Sequence, residues 1–326
     1  MKNTIKTFAL FLTAGAMLAS CDSYLDRQPD EPLTSDNIFK KQKTTLQYLT
    51  NIYSYQPDYE APACVSNSND IPWEACSDET SFAYLDRSYT QINYNSWNPS
   101  LHIYRDDTYN TPYKGIREAN YFMQHVHECP ELTDTDKGYY YNEARFLRAH
   151  FYAMMLPVYG PVFLIGDDPV DFTQSGLDQR ERNTWDECVN YVANELWEAA
   201  KGLPDSWPDI YYGRATKGAA LAARARLLLY SARKLFNGND LYKGIVNRNG
   251  DHLFPTQYDE KKWELAAQAA KDVMNLNLYS LVGADGTDPY TSFNTLFTSV
   301  GSGTGATEKI YTRIASGYQW RIVTTP

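Results

Sequence analysis

Apolar residues recur at steps of three and four through most of the chain, which is the period of one helix face. In "LTDTDKGYYYNEARFLRAHFYAMMLPVYG" that face is Tyr140, Ala144, Leu147, Phe151 and Met154. Asp134 or Asp136 is placed to cap its start and Pro157 to stop it. In "NTWDECVNYVANELWEAAKGLP" Thr184 and Glu187 make a capping box. Val189, Val192, Leu196, Ala199 and Leu203 form the stripe, and Gly202 and Pro204 end the helix. "RATKGAALAARARLLLYSARKLF" carries Thr216 as cap and Leu221, Ala225, Leu228, Ala232 and Leu235 on one face. Its opposite face is also rich in Ala and Leu, which predicts a helix sandwiched between neighbours. "KKWELAAQAAKDVMNL" repeats the theme with Trp263, Ala266, Ala267, Ala270 and Val273. Further helices are predicted over 42–54, with Leu46, Leu49 and Tyr53, and over 112–127, with Ile116, Ala119 and Phe122. "PVFLI" at 161–165 is one short strand candidate. Paired helices with small residues at their packing positions predict an all-α, tetratricopeptide-like helical-repeat scaffold.

Two regions break the pattern. Residues 56–111 have no helical period and are crowded with Tyr, Trp, Asn, Asp and Ser, and residues 280–326 are rich in Gly, Thr and Ser. Long irregular segments inside a compact domain usually carry function. The first contains "IPWEACSDETSFAYLDRSYTQINYNSWNP", which puts Trp73, Tyr84, Arg87, Tyr94, Trp97 and Asn98 in one stretch. A sugar ring offers an apolar C–H face and a rim of hydroxyls. Flat aromatics cover the face, while Asn and Arg bond the rim. Any one of these aromatics is more simply a pin that holds the loop to the helices. A ligand contact is expected from at least one of them.

The start of the chain has a separate logic. Residues 1–20 carry Lys2 and Lys6 and then the apolar run "FALFLTAGAML", the order of a signal peptide. "LASC" then resembles a bacterial lipobox, in which the chain is cut before Cys21 and the thiol takes a lipid. Residues 21–41, with Pro29 and Pro32 among acidic side chains, read as an extended stalk, and 42–326 as the helical domain. Without Lys2 and Lys6 the chain holds 28 basic against 40 acidic residues, a net formal charge of −12. Nucleic acid is therefore excluded as a partner. Tyrosine is abundant, 27 in 326 residues, which suits surfaces that are both apolar and hydrogen-bonding. Cys64, Cys76, Cys129 and Cys188 permit disulfides or buried free thiols.

No motif for catalysis, metal or cofactor survives inspection. "GSGTGA" at 301–306 lacks the strand and helix of a dinucleotide loop. "DTDKG" at 134–138 lacks the further ligands of a calcium hand. His125 and His127 have no partner at metal-ligand spacing and read as surface histidines. No G-x-S-x-G is present. A carboxylate pair for glycoside hydrolysis is not singled out among the many Asp and Glu.

"EARFLRAHFYAMMLPVYGPV" (143–162) and "RATKGAALAARARLLLYSA" (214–232) resemble the signature helices of the SusD-like (RagB/SusD) outer-membrane lipoproteins of Bacteroidetes. "YKGIREANYFMQHV", "WELAAQAAKDVM", "CDSYLDRQP", "NIFK" and "YLTNIY" fit the same family in order. The resemblance implies a tetratricopeptide-like scaffold bearing ligand loops, with no catalysis. It also implies a lid-like partnership with a TonB-dependent SusC-like transporter at the cell surface, and capture of glycans or, in some branches, peptides or other nutrients. It maps Arg87, Trp97 and Asn98 loosely onto a ligand arc and leaves Trp320 as a further candidate aromatic. Two departures are visible: "YGPVF" moves the family's proline, and the chain stops at "GYQWRIVTTP" without the usual C-terminal part. That predicts lost ligand loops and uncovered helix faces. A peptide receptor of the same fold and a surface glycoside hydrolase are the competing readings.

Overall fold

The computed structural model describes residues 35–56, 77–78, 94–96, 98, 106–167, 180–298 and 306–312. Its main helices are α1 (Gln42–Tyr53), α2 (Thr111–His125), α3 (Asp134–Tyr159), α4 (Trp185–Gly202), α5 (Lys217–Ala232), α6 (Lys261–Met274) and α7 (Pro289–Thr298). The first six stack in chain order: α1 against α2 and α3, then α2 on α3, α3 on α4, α4 on α5 and α5 on α6. The fold is all-α, as the patterns predict. Among the described residues the pairing of extended chain is limited to one antiparallel bridge, Val246 with His252.

Local chemistry explains most boundaries. Glu187 N donates to Thr184 Oγ1 at 3.3 Å and Thr184 N to Glu187 Oε2 at 2.7 Å, so the capping box of α4 is complete. All five stripe residues of α4 are buried. Thr216 caps α5 through Ala219 N at 3.2 Å. Helix α5 is indeed packed between α4 and α6, though Leu229 and Leu235 remain exposed.

Helix α3 departs from its pattern in three ways. Its cap is Thr133, which accepts from Asp136 N at 3.1 Å; Asp134 and Asp136 lie inside the first turn. Pro157 does not stop it. A proline so near the end removes one ladder bond, and the helix runs on to Tyr159. Gly160 ends it with φ +67°, and a Cβ there would sit 2.9 Å from the Phe254 ring. Finally, α3 buries more than one face: Phe146, Arg148, Ala149, Tyr152, Met155 and Leu156 are buried beside the expected stripe, while Met154 is only partly covered. The centre of a helical row has neighbours on several sides.

Helix α6 errs in the opposite direction. Ala266 and Ala269 are buried, Val273 is partly so, and Trp263, Ala267 and Ala270 are exposed. Among the described residues the helix packs chiefly on α5, and the longer apolar stripe runs past that contact. None of α7 is buried; Tyr290, Phe293 and Phe297 are 66–80% exposed.

"PVFLI" is extended but joins no sheet. Tyrosine hydroxyls satisfy its backbone instead. Tyr113 Oη donates to Phe163 O at 2.9 Å and accepts from Phe163 N at 3.1 Å. Tyr152 Oη does the same for Ile165, at 3.2 and 2.8 Å. Asn183 Oδ1 takes Leu164 N at 3.0 Å, and Asn120 Nδ2 reaches Gly166 O at 2.8 Å. These peptide groups find their partners without a second strand.

Two ionic networks cross the helices. Glu143 is fully buried on α3. It receives Arg214 Nε at 2.8 Å, a second bond from Arg214 Nη2, and Tyr53 Oη from α1 at 2.6 Å. Tyr53 Oη in turn accepts Ala215 N at 2.9 Å, just before α5. The guanidinium lies 4.4 Å from the Trp207 ring, 4.8 Å from Tyr140 and 5.1 Å from Tyr211. Burial pushes the Glu143 carboxyl above its usual pKa against the pull of Arg214. In the second network Arg148, 2% exposed, bonds Asn120 Oδ1 at 2.7 Å, Asp167 Oδ1 at 2.5 Å and Glu195 Oε2. Arg145 holds the same Glu195 at 2.7 and 3.0 Å. Burial opposes the Glu195 charge, but the two guanidiniums outweigh it and keep its pKa below the usual range.

Cys129 and Cys188 are free and buried, and burial pushes the Cys188 thiol up to about 11. Cys64 and Cys76 lie outside the described residues.

Removing one member of a buried ion pair strands the other. Arg214→Met is expected to lower unfolding stability by about 3–5 kcal/mol in urea titrations, whereas Glu143→Met with Arg214→Met together loses far less than the two single losses added. Additive losses would mean that the two charges are not coupled.

Candidate functional site

Both irregular regions are rooted on α3. The chain leaves α1 through Tyr55 and Gln56. Gly115 admits this exit: a Cβ there would lie 2.5 Å from the Phe151 ring and 2.9 Å from Tyr55 Cβ. Gln56 is buried and its Nε2 donates to Tyr311 Oη at 2.5 Å. Tyr311 belongs to the second irregular region. Its ring meets Phe146 edge-on at 5.4 Å and His150 at 5.8 Å, and His150 stacks on Phe146 at 5.3 Å. One residue on, Thr312 Oγ1 is 3.4 Å from Tyr212 Oη.

The first loop returns through a π-helical turn, Asp106–Asn110, that leads into α2. Thr108 Oγ1 lies 2.6 Å from Tyr159 Oη at the end of α3. The Tyr109 ring packs edge-on against Tyr113 at 5.1 Å and Tyr159 at 4.9 Å. The exit and return of one loop, the extended 162–167 segment and residues 306–312 thus converge on the second half of α3. Edge-to-face ring pairs and tyrosine hydroxyls do the joining.

Of the sequence candidates, Tyr94 is 65% exposed and stands beside Asn95, whose φ of +54° makes a left-handed turn. Asn98 is exposed. Cys21, Trp73, Tyr84, Arg87, Trp97 and Trp320 lie outside the described residues, as do the leader and most of the stalk and of "GSGTGA". "DTDKG" forms the first turn of α3. His125 Nδ1 sits 2.8 Å from Glu128 Oε1 and its ring stacks on Phe39. Among the described residues no group of His, Cys, Asp and Glu could hold a metal ion. No helix among them is long and apolar enough to cross a membrane.

The tyrosines that anchor the loops were legible only as an excess. Tyr113, Tyr152 and Tyr311 have no spacing that announces which peptide groups they will bond. Glu143 and Arg148 are buried, and no local spacing announces it.

Helices stacked in chain order, with aromatic-rich connections rooted on the central helix, define a helical-repeat scaffold that presents loops. The SusD-like family, described as starch-binding and associating with the outer membrane, matches residues 23–229, and the chain belongs to that family. The protein BT4246 is 25% identical over 75% of this chain and 42% of its own, with a TM-score of 0.61. A SusD homolog from Bacteroides thetaiotaomicron VPI-5482 is 20% identical over 89% of this chain and 50% of its own, with a TM-score of 0.61. A SusD-like protein from Bacteroides fragilis NCTC 9343, BF3747, is 23% identical over 83% and 44%, with a TM-score of 0.57. The chain therefore spans half or less of the length of these structures. No curated protein matches it.

The junction has a titratable member. The His150 ring is partly exposed, but Nδ1 is buried without a partner. Burial, helped by Arg226, lowers its pKa to about 4. An unfolded chain takes up the proton near pH 6.5. The unfolded state therefore binds more protons between these values, and stability falls as pH drops from about 6.5 toward 4. Thermal melts across this window are expected to show the fall, and His150→Phe to flatten it; an unchanged slope would assign the acid sensitivity elsewhere.

Proposed function

We propose that this chain is a surface lipoprotein that captures oligosaccharide or polysaccharide for uptake through a TonB-dependent SusC-like transporter in the outer membrane. The family match over 23–229 carries the reading. The aromatic loop supports it: where the segment holding Trp73, Tyr84, Arg87, Tyr94, Trp97 and Asn98 leaves, Gln56 bonds Tyr311, whose ring packs on α3, and where it returns Thr108 bonds Tyr159 of α3. A rigid root lowers the ordering cost of binding. Binding of this kind needs flat aromatics and hydroxyl partners rather than an acid–base pair. The two most buried carboxylates, Glu143 and Glu195, are already engaged by guanidiniums. We read the chain as a binding protein and not a hydrolase.

Affinity gels holding different soluble polysaccharides test this with the chain from Asp22 to Pro326. One glycan is expected to retard it, and Trp97→Ala to abolish the retardation while the circular dichroism melt stays unchanged. Cooperative melting without retardation by any glycan would turn the reading toward peptides or another nutrient.

Cys21 is proposed to hold the protein on the membrane through acyl chains, each buried methylene contributing about 0.8 kcal/mol. Cys21→Ala is expected to move the protein from the membrane pellet to the soluble fraction and to stop incorporation of labelled palmitate. A variant that stays in the pellet would overturn the anchor.

A further inference from the structure

Tyr258 and Trp263 form an exposed aromatic pair far along the chain from the loop candidates. Trp263 Nε1 donates to Tyr258 Oη at 2.9 Å, and the residues are 40% and 55% exposed. The pair is fixed from beneath. Fully buried Asn237 donates to Asp259 O at 2.8 Å and accepts Asp259 N at 2.9 Å. Gly238, with φ +76°, lies so close that a Cβ would be 2.4 Å from Tyr258 N. Two large rings held rigidly while still in water bring little burial to the fold. They are preorganised for something that covers them.

An open depression of about 250 Å³ lies close along the chain to the pair, with neither ring among its lining residues. Thr184, Asp186, His252, Pro255 and Thr256 are among its lining residues. Thr256 precedes Tyr258 by two residues, and Lys262, next to Trp263, bonds Asp186 Oδ1 at 2.5 Å. His252 Nδ1 faces the Lys243 carbonyl at 2.8 Å. A carbonyl only accepts, so Nδ1 carries the hydrogen and Nε2 is left to accept. Thr184 Oγ1 accepts Glu187 N and its hydroxyl is engaged with the Glu187 carboxylate. Donors, acceptors and apolar wall alternate here, and the cation at the edge is offset by Asp186. An anionic ligand finds no spare charge in this wall. A saccharide matches this chemistry, its C–H faces suiting the two rings and its hydroxyls suiting Asp186 and His252.

We propose that Tyr258, Trp263 and this depression form a second binding site, for an uncharged saccharide, separate from the loop site. The proposal rests on the glycan reading above. Two sites on one polymer raise avidity for long chains over short ones.

The test uses the full chain in detergent micelles, labelled with 5-fluorotryptophan, and soluble starch, mixed-linkage β-glucan and galactomannan as probes. The Trp263 fluorine resonance is assigned by its loss in Trp263→Phe. One polysaccharide is expected to shift it, in Trp97→Ala as in the parent chain. Tyr258→Ala and Trp263→Ala are each expected to weaken gel retardation by that polysaccharide about three- to tenfold. Retardation of the parent chain with an unmoved Trp263 resonance would overturn the second site and leave the glycan reading standing. A resonance that moves in the parent chain but not in Trp97→Ala would assign the shift to the loop site and overturn the second one. No retardation and no shift with any of the three would overturn both. The resonance reads the parent fold directly, so an alanine variant that melts without cooperativity does not decide the result.

Discussion

A carboxylate with no exposure to water must be met by a cation and by donors, and Glu143 is such a carboxylate. The groups that meet it come from three places in the chain. Tyr53 closes α1, Glu143 sits in α3, and Arg214 lies in the turn before α5. Tyr53 also takes the Ala215 amide, so one hydroxyl bridges a side chain and a backbone. Three rings close over the guanidinium and keep water away. Helices stacked only by small apolar residues could slide along one another. A bidentate ion pair with directional partners has one register, which makes this contact a specificity device more than a store of stability.

The Arg148 network extends the same logic to the next helices. Arg148 draws in Asn120 of α2, Glu195 of α4 and Asp167 beyond the extended segment. That segment is the interesting consequence. It has strand composition and no strand partner, and tyrosine hydroxyls act as its ladder. The same residue type roots the loop at Tyr109, Tyr159 and Tyr311. The tyrosine excess thus has a structural use on the scaffold side, whatever the loops themselves meet.

The far end of the row differs. Helix α6 buries two alanines and α7 buries nothing, while Leu265, Met274, Phe293 and Phe297 face solvent. Related structures are about twice as long as this chain. In a stacked row each helix is covered by its neighbours, and these apolar sides stand uncovered among the described residues.

The sequence by itself determined the helices, their caps at Thr184 and Thr216, the buried stripe of α4 and the all-α class. These follow from neighbours three and four residues away, where local geometry is decisive. The aromatic loop was legible as composition, and Tyr94 as an exposed member of it. Tertiary structure alone decided the rest. A charged residue in a helix reads as solvent-facing until its partner is known, and the partners of Glu143 and Arg148 are 19 to 90 residues away. Whether Trp263 is buried depends on which elements pack on α6, and no local spacing states that. Which peptide a tyrosine hydroxyl will bond, and so where the loops are rooted, is set by the stacking of helices and by no local spacing.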